Sequence, residues 1–140
     1  MPVSETEASL LAELAVLPDP QERLAHLIQR AGRRPPLPPD ERTDAALVPG
    51  CVSRVWLTAS RENGRCHFRV AADSPMVFGL MALLCDVYEG APPGEVAAFE
   101  TSVFADSGLE RHLSPTRRQG LAHARARLRQ LAAGLADEHA

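Results

Sequence analysis

The residues with the clearest chemical potential surround Cys51, which follows Pro49 and Gly50 and precedes an apolar run. Pro restricts its own φ angle and Gly accepts backbone angles closed to other residues, so a tight loop here can hold a thiol apart from its neighbours. A thiol presented in this way is suited to nucleophilic chemistry once it ionises. A single Cys beside a strand is also often a small buried hydrophobic residue, and the local spacing alone does not separate these two interpretations.

The other potential metal ligands form no pattern with Cys51. The chain has three Cys and five His residues, but no C-x-x-C or H-x-x-x-H pair and no carboxylate beside Cys51. Protein metal sites usually show such spacing. We therefore predict no metal site, and we expect Cys66 and Cys85 to be packed in the interior.

Length, charge and the N-terminus narrow the class of protein. The 140 residues suit a single domain spanning residues 1–140. The net charge of -3 predicts no binding to nucleic acid, although all 15 basic residues are Arg. The sequence shows no N-terminal leader in which a basic segment precedes an apolar one, and no apolar run long enough to span a membrane. Together with the odd number of Cys residues, these features predict a cytoplasmic protein that does not bind membranes.

The first part of the chain predicts two helices and an extended connector. Leucines at near-helical spacing indicate a short amphipathic helix over residues 4–17. Asp19 and Pro20 are typical of a helix N-cap and first helical position, and Gly32 is typical of a helix end. The prolines of residues 35–39 cannot continue a helix, so they favour an extended, polyproline-like connector.

A β-hairpin is predicted after the Cys51 loop. Asn63 and Gly64 are a preferred pair for a tight hairpin turn. The returning strand alternates, so its apolar residues are expected to face inward, namely Cys66, Phe68 and Val70. The first strand begins with an apolar run that we expect to be anchored in the core, made of Val52, Val55, Trp56 and Leu57.

Helices are predicted for most of the remaining chain. Ser74 caps a helix that runs to Tyr88 and is apolar on almost every face, as expected for a buried central helix. Shorter helical segments are expected over residues 95–104 and 109–113, and a long final helix begins after Ser114. This order of elements predicts an α+β fold, with a small antiparallel β-sheet packed against several α-helices.

Several motifs along the chain resemble those of the SufE family. The segment V-P-G-C-x-S-x-V-W-L around Cys51 is similar to the family's cysteine-loop signature, and the segment H-L-S-P-T-R, which ends at Arg117, is similar to its H-L-[ST]-P-x-R pattern. The resemblance extends over nearly the whole chain and implies a SufE/IscU-like fold. Two departures fall on the partner-facing surface, Phe78 in place of a basic residue and Arg118 in place of a small polar residue.

The resemblance implies a sulfur carrier of iron–sulfur cluster assembly. Cys51 would accept persulfide sulfur from a PLP-dependent cysteine desulfurase of the SufS or CsdA type. The protein would stimulate that enzyme and pass the sulfur to a downstream cluster-assembly scaffold. The candidates for binding the partner or supporting the thiolate are Gly50, Ser53, Arg54 and Arg117. The PLP belongs to the desulfurase, so we expect neither a cofactor in this chain nor autonomous catalytic turnover.

Two other functions remain open from the sequence. A cluster scaffold of the IscU or SufU type is related in fold to SufE, but its first ligand Cys is followed by Gly-Asp, whereas Val52 and Ser53 follow Cys51 here. The other alternative is an adaptor domain that binds a partner through its helices, with Cys51 incidental. Replacing Cys51 by Ser separates a carrier, which would lose sulfur acceptance and keep partner binding, from an adaptor, which would lose neither.

Overall fold

The described part of the chain is an α+β fold built around one hairpin. A computed structural model describes residues 1–50 and 53–137. Within these ranges, six α-helices pack around a two-stranded antiparallel sheet, which confirms the predicted fold class. The elements are α1 (Val3–Ala15), α2 (Pro20–Ala31), β1 (Val55–Glu62), β2 (Arg65–Ala72), α3 (Pro75–Tyr88), α4 (Pro93–Ala98), α5 (Val103–Asp106) and α6 (Pro115–Asp137).

The hairpin forms at the predicted turn. Strands β1 and β2 pair without interruption up to the turn, where Asn63 has a φ of 54° and Gly64 a φ of 75°. Both angles are left-handed, as a two-residue hairpin turn of this kind requires. The predicted inward face of β2 is confirmed, because Cys66, Phe68 and Val70 are buried. Val52, which was predicted to join β1, lies outside the described residues.

Trp56 is not a core residue, so that expectation was wrong. Side chains alternate across a strand, and β1 points Val55 and Leu57 into the core. Trp56 therefore lies on the opposite face of β1, where it is only partly buried. The Arg54 guanidinium carbon lies 5.3 Å from the centroid of its ring, in a cation–π contact.

Helix α3 is the buried central helix that the sequence predicts. The Ser74 side chain caps it by accepting a hydrogen bond from the Val77 N–H at 3.2 Å. Ten of its 14 residues are buried, because α1, α2, β2 and α6 all pack against it. Cys85 lies within this helix and is buried, as expected.

The first two helices begin and end close to the predicted positions. Helix α1 ends at Ala15, before the predicted boundary, because the backbone tightens there and the Leu17 N–H donates to the Leu14 carbonyl oxygen at 3.1 Å. Asp19 caps α2 as predicted, accepting from the Gln21 N–H at 3.0 Å. Gly32 follows α2 with a φ of -61°, so this helix end does not use the left-handed conformation that favours Gly.

The helix predicted over residues 95–104 is instead two short helices, α4 and α5, separated by an extended segment. Side chains from elsewhere satisfy the backbone of that segment. The Tyr88 hydroxyl donates to the Phe99 carbonyl oxygen at 2.6 Å and accepts from the Thr101 N–H at 3.1 Å. The Glu7 carboxylate accepts from the Ser102 N–H at 3.1 Å. These tertiary hydrogen bonds replace the helical ones and interrupt the predicted helix.

The proline-rich connector lies along the outer edge of β2. Leu37 is fully buried, and its N–H donates to the Val70 carbonyl oxygen at 3.0 Å. Further along the same edge, the Cys66 N–H donates to the Ala91 carbonyl oxygen, and the Gly90 N–H donates to the Cys66 carbonyl oxygen, both at 2.8 Å. The connector is thus part of the packed structure, as an extended segment with a buried anchor.

The final helix, α6, begins at the predicted Ser-Pro pair. The Ser114 hydroxyl accepts a hydrogen bond from the Arg117 N–H at 3.2 Å and caps the helix. Its apolar face is buried through Leu121, Ala124 and Leu128. Among the described residues, no helix combines the length and apolar character needed to cross a membrane.

Candidate functional site

The loop that contains Cys51 is anchored on both sides by hydrogen bonds. Before the loop, Val48 is buried and its N–H donates to the Val55 carbonyl oxygen at 2.8 Å. After the loop, the Arg54 N–H donates to the Asp73 carboxylate, and the Asp73 N–H donates to the Arg54 carbonyl oxygen, both at 3.1 Å. Cys51, the predicted sulfur acceptor, lies between these anchors and outside the described residues. Val48 and Arg54 therefore mark where the loop leaves the fold and where it rejoins it.

Gly50 brings the loop against helix α6. Its φ of 82° is in the left-handed region, which favours Gly over residues with a Cβ atom. A Cβ atom built on Gly50 would lie 2.8 Å from both Cδ2 and Nε2 of the His123 ring, closer than such atoms approach in proteins. Gly at this position thus meets two requirements, a left-handed backbone and close contact with an imidazole.

A small cavity lies beside Ser53, at the end of the loop. Its volume is about 150 Å³, and residues from the loop, β1, α3 and the start of α6 line it. Most of the lining is apolar, and Arg117 supplies the cationic group. The lining residues are Ser53, Val55, Val77, Leu80, Met81, Ser114, Thr116, Arg117, Gly120 and Leu121.

Arg117 is the unusual member of this lining. Its Nη1 atom is buried and has no hydrogen-bond partner in the part of the chain that the structure describes. A buried donor left without an acceptor costs about 1–3 kcal/mol, and more when the group is charged. An anion held in the cavity would supply the missing acceptor in a charge-assisted hydrogen bond. The cavity is therefore suited to a small, partly apolar group that carries negative charge.

Of the predicted site residues that the structure describes, two come together, because Ser53 and Arg117 both line the cavity. Gly50 lies instead against His123 of α6. Arg54 does not line the cavity, because its guanidinium is stacked on Trp56. Arg54 is exposed, so it remains available for contact with a partner rather than for contact with the cavity.

Sequence reasoning did not single out His123, which the structure places against Gly50. On α6, Arg117, Gly120 and His123 follow one another at intervals of three residues, a spacing that places side chains along one side of a helix. This three-residue interval could have drawn attention to His123, but only with the knowledge that α6 packs against the loop at Gly50. The contact with Gly50 supplies this information.

Two further thiols are inert by burial. Cys66 and Cys85 are free and buried. Burial raises the pKa of Cys66, and it raises the pKa of Cys85 to about 12, so both stay protonated near neutral pH. In the described ranges, no group of three or more His, Cys, Asp or Glu residues is arranged to hold a metal ion.

A larger open groove of about 640 Å³ lies apart from the cavity and shares no lining residue with it. Its charged side chains are largely paired with each other. Asp86 accepts hydrogen bonds from Arg30 and Arg34, and Glu89 pairs with His67 at 2.8 Å and with Arg34 at 3.3 Å. These pairs link α2, β2 and α3, so we assign the groove a structural role.

A comparison with protein-family models places residues 8–132 in the SufE family, described as an Fe-S metabolism associated domain. This match covers most of the chain, including the Cys51 loop, the cavity and the contact between Gly50 and His123. The cavity, the loop and α6 therefore all belong to the part of the chain that the family model describes.

Curated relatives and a solved structure are similar to the chain as well. An uncharacterized SufE-like protein of Rhizobium etli is 31% identical over 126 residues, which cover 86% of this chain and 85% of that protein. An uncharacterized SufE-like protein of Synechocystis is 31% identical over 102 residues, 73% of this chain and 64% of that protein. The solution structure of a hypothetical protein from Thermus thermophilus superimposes with a TM-score of 0.79 at 25% identity, covering 94% of this chain and 96% of that one. The chain belongs to the SufE family, and its role is in Fe–S metabolism.

Proposed function

We propose that this protein accepts sulfur, as a persulfide on Cys51, from a PLP-dependent cysteine desulfurase of the SufS or CsdA type. It stimulates that enzyme and passes the sulfur to a scaffold for cluster assembly. Membership of the SufE family supports the proposal. The observation that carries it furthest is the buried Nη1 of Arg117, which has no hydrogen-bond partner among residues 1–50 and 53–137, at a cavity that Ser53, two residues after Cys51, also lines.

The transfer step requires a thiolate and a protected place for its product. The Cys51 thiolate attacks the outer sulfur of the enzyme's persulfide, a new S–S bond forms on Cys51, and the S–S bond on the enzyme breaks. The enzyme's Cys leaves as a thiolate, so the step involves no net oxidation. The ionised persulfide is an acceptor for the Arg117 guanidinium, and the apolar lining would keep water and small thiols from discharging it.

This chemistry needs no cofactor held by the chain, because the PLP that releases sulfur from cysteine belongs to the desulfurase. The protein therefore acts as a carrier and activator, without a turnover of its own. A compartment that keeps thiols reduced suits such a carrier, and we propose the cytoplasm.

Intact-protein mass spectrometry tests the proposal directly. The purified protein is mixed with a desulfurase and cysteine, with Cys51→Ser as the variant and Cys66→Ala as the matched control for loss of a thiol. We expect a mass gain of one or more sulfur atoms on the wild type and on Cys66→Ala, removed by reductant, and none on Cys51→Ser. An equal gain on Cys51→Ser would contradict the proposal.

A binding measurement on the same variants separates the remaining functions. A carrier keeps its affinity for the desulfurase when Cys51 is replaced by Ser, because the thiol is not the binding surface. Binding without any sulfur gain on the wild type would favour an adaptor. Retention of iron and sulfide by the wild type, lost with Cys51→Ser, would favour a cluster scaffold.

A further inference from the structure

We infer that the cavity beside Ser53 is a binding site for a free anion, namely a small, singly charged and weakly hydrated anion such as hydrosulfide. This inference goes beyond the proposed function, because the ligand is free rather than attached to the chain, and every residue invoked belongs to the described ranges. Its starting point is the buried Nη1 of Arg117, which has no hydrogen-bond partner among residues 1–50 and 53–137.

The cavity has a polar rim that can hold the charge of an anion. Arg117 supplies a cationic group there, and the hydroxyl groups of Ser53, Ser114 and Thr116 belong to the same lining. Ser114 and Thr116 are exposed, whereas Ser53 and Arg117 are half-buried, so these groups form the outer part of the cavity. The Ser114 hydroxyl accepts from the Arg117 N–H at 3.2 Å and keeps its own proton as a donor. No carboxylate is among the described residues that line the cavity.

The inner part of the cavity is apolar and favours a weakly hydrated ion. Its buried side chains belong to Val55, Val77, Leu80, Met81 and Leu121. An ion that holds its hydration shell tightly, such as sulfate, would lose part of that shell against these side chains at a high cost in free energy. A buried charge also needs a partner of opposite sign, and one guanidinium balances a single negative charge. The lining therefore favours a monoanion that gives up water easily.

The volume of the cavity limits the ligand to a few heavy atoms. It is about 150 Å³, and an apolar cavity of roughly this volume can hold a molecule as large as benzene. Hydrosulfide and thiocyanate are well within this limit. In either case the anion accepts a charge-assisted hydrogen bond from Nη1 of Arg117, which supplies the acceptor that the described residues do not provide.

The test uses the methyl groups of methionine as reporters, because Met81 lines the cavity whereas Met1 and Met76 do not. Protein labelled with carbon-13 at these methyl groups is titrated with sodium thiocyanate and followed by NMR. A parallel titration uses sodium sulfate at equal ionic strength. The resonances of Met1 and Met76 report general effects of salt in the same samples.

We expect the Met81 resonance to shift with thiocyanate and to saturate with a dissociation constant of about 1–10 mM, as is reasonable for a ligand of three heavy atoms. Sulfate should bind at least about tenfold more weakly, because of its tighter hydration. Arg117→Leu should weaken thiocyanate binding about tenfold or more, since the charge-assisted hydrogen bond is lost. Arg118→Leu removes the neighbouring exposed guanidinium and should match the wild type.

Three results would overturn the inference. One is a Met81 shift that does not saturate, or that Met1 and Met76 match, which would indicate a general effect of salt. The second is equal affinity for thiocyanate and sulfate, and the third is unchanged thiocyanate binding by Arg117→Leu. The first two comparisons use the wild type, so they decide the matter even if thermal unfolding shows that Arg117→Leu is not folded.

The titration uses neither the desulfurase nor any reaction of a thiol, so it separates this inference from the proposed function. If the wild type gains sulfur in the mass assay while Met81 does not respond to thiocyanate, the anion site alone fails. If Met81 responds as expected but the wild type gains no sulfur, the proposed function fails and the anion site stands.

Discussion

Arg117 and Arg118 are adjacent in sequence but have different surroundings. Nη1 of Arg117 is buried without a partner in the described structure, whereas Arg118 is exposed. Both residues lie near the start of α6, so replacing either one changes helix propensity and net charge equally. The pair therefore isolates the effect of a guanidinium inside the cavity from that of a guanidinium on the surface.

We expect Arg117→Met to slow sulfur acceptance by about 10- to 100-fold, since one preorganised donor to a developing negative charge is lost. Arg118→Met should stay within about twofold of the wild type, as for an ordinary surface substitution. The measurement is the time course of persulfide formation by mass spectrometry.

The free energy of unfolding provides an independent check on Arg117. Arg117→Met should keep or increase it, because the variant removes a buried donor for which the described residues provide no acceptor. A loss of more than about 1 kcal/mol would show instead that folding depends on a hydrogen bond from this guanidinium.

Single residues could be proposed for the site from sequence where the signal is contiguous. The motif around Cys51 and the Ser-Pro-x-Arg segment ending at Arg117 can be read along the chain, because their members are neighbours in sequence. The contact between His123 and Gly50 cannot be read in this way, since it depends on how α6 packs against the loop. That Nη1 of Arg117 finds no hydrogen-bond partner in the described part of the chain is likewise a property of the packed interior.

At the scale of elements, Gly50 and Gly64 share a left-handed backbone conformation but differ in how closely other atoms pack against them. Gly50 and Gly64 have similar left-handed φ angles, 82° and 75°. A Cβ atom on Gly50 would collide with His123, whereas a Cβ atom on Gly64 would have no atom within 4 Å. Substituting Ala at each position therefore separates the cost of the backbone conformation from the cost of the contact.

We expect Gly64→Ala to lower the free energy of unfolding by about 1–2 kcal/mol, the cost of a left-handed residue with a side chain. Gly50→Ala should cost about the same, because the atoms that its Cβ would meet belong to the ring of the exposed His123 side chain, which can turn aside. Urea unfolding measures both costs. A Gly50→Ala cost more than about 1 kcal/mol above that of Gly64→Ala, lost in a His123→Ala background, would show instead that the ring is held in place.

Secondary-structure elements were predicted correctly where their sequence signals are local. The hairpin turn at Asn63 and Gly64 and the cap of α3 at Ser74 use hydrogen bonds and φ angles within a few residues. The break between α4 and α5 was not predictable, because it depends on Tyr88 and Glu7, which reach that segment from distant parts of the chain.

At the scale of the whole molecule, ion pairs join the first three helices. Glu13 of α1 pairs with His26 at 2.8 Å and with Arg30 at 3.0 Å, both on α2. Arg30 in turn pairs with Asp86 of α3. The hydrogen bond from His26 lowers the pKa of Glu13 most, burial opposes it as the second-largest effect, and the charge of Arg30 lowers the pKa further. This network ties the position of α1 to the ionisation of one carboxylate.

The lowered pKa of Glu13 gives a pH dependence with a defined sign. A carboxyl group with a lowered folded-state pKa stabilises the fold above its unfolded-state pKa, and this contribution is lost as the pH falls through the folded-state value. From roughly pH 5 down to pH 3, the thermal midpoint of the wild type should therefore fall more steeply than that of Glu13→Gln. Glu100→Gln, which removes an exposed carboxylate, is the control and should follow the wild type. Parallel curves for Glu13→Gln and the wild type would contradict this prediction.

The covered edge of β2 also limits how other chains can associate with the protein. The outward backbone groups at Cys66, Phe68 and Val70 are bonded to the 90–91 segment, to Glu89 and Arg34, and to Leu37, respectively. An edge occupied in this way cannot accept a third strand, so a partner peptide cannot bind there by β-augmentation, and two copies cannot join edge to edge through β2. The proline-rich connector thus helps to close one edge of the sheet, through the hydrogen bond from Leu37 to Val70.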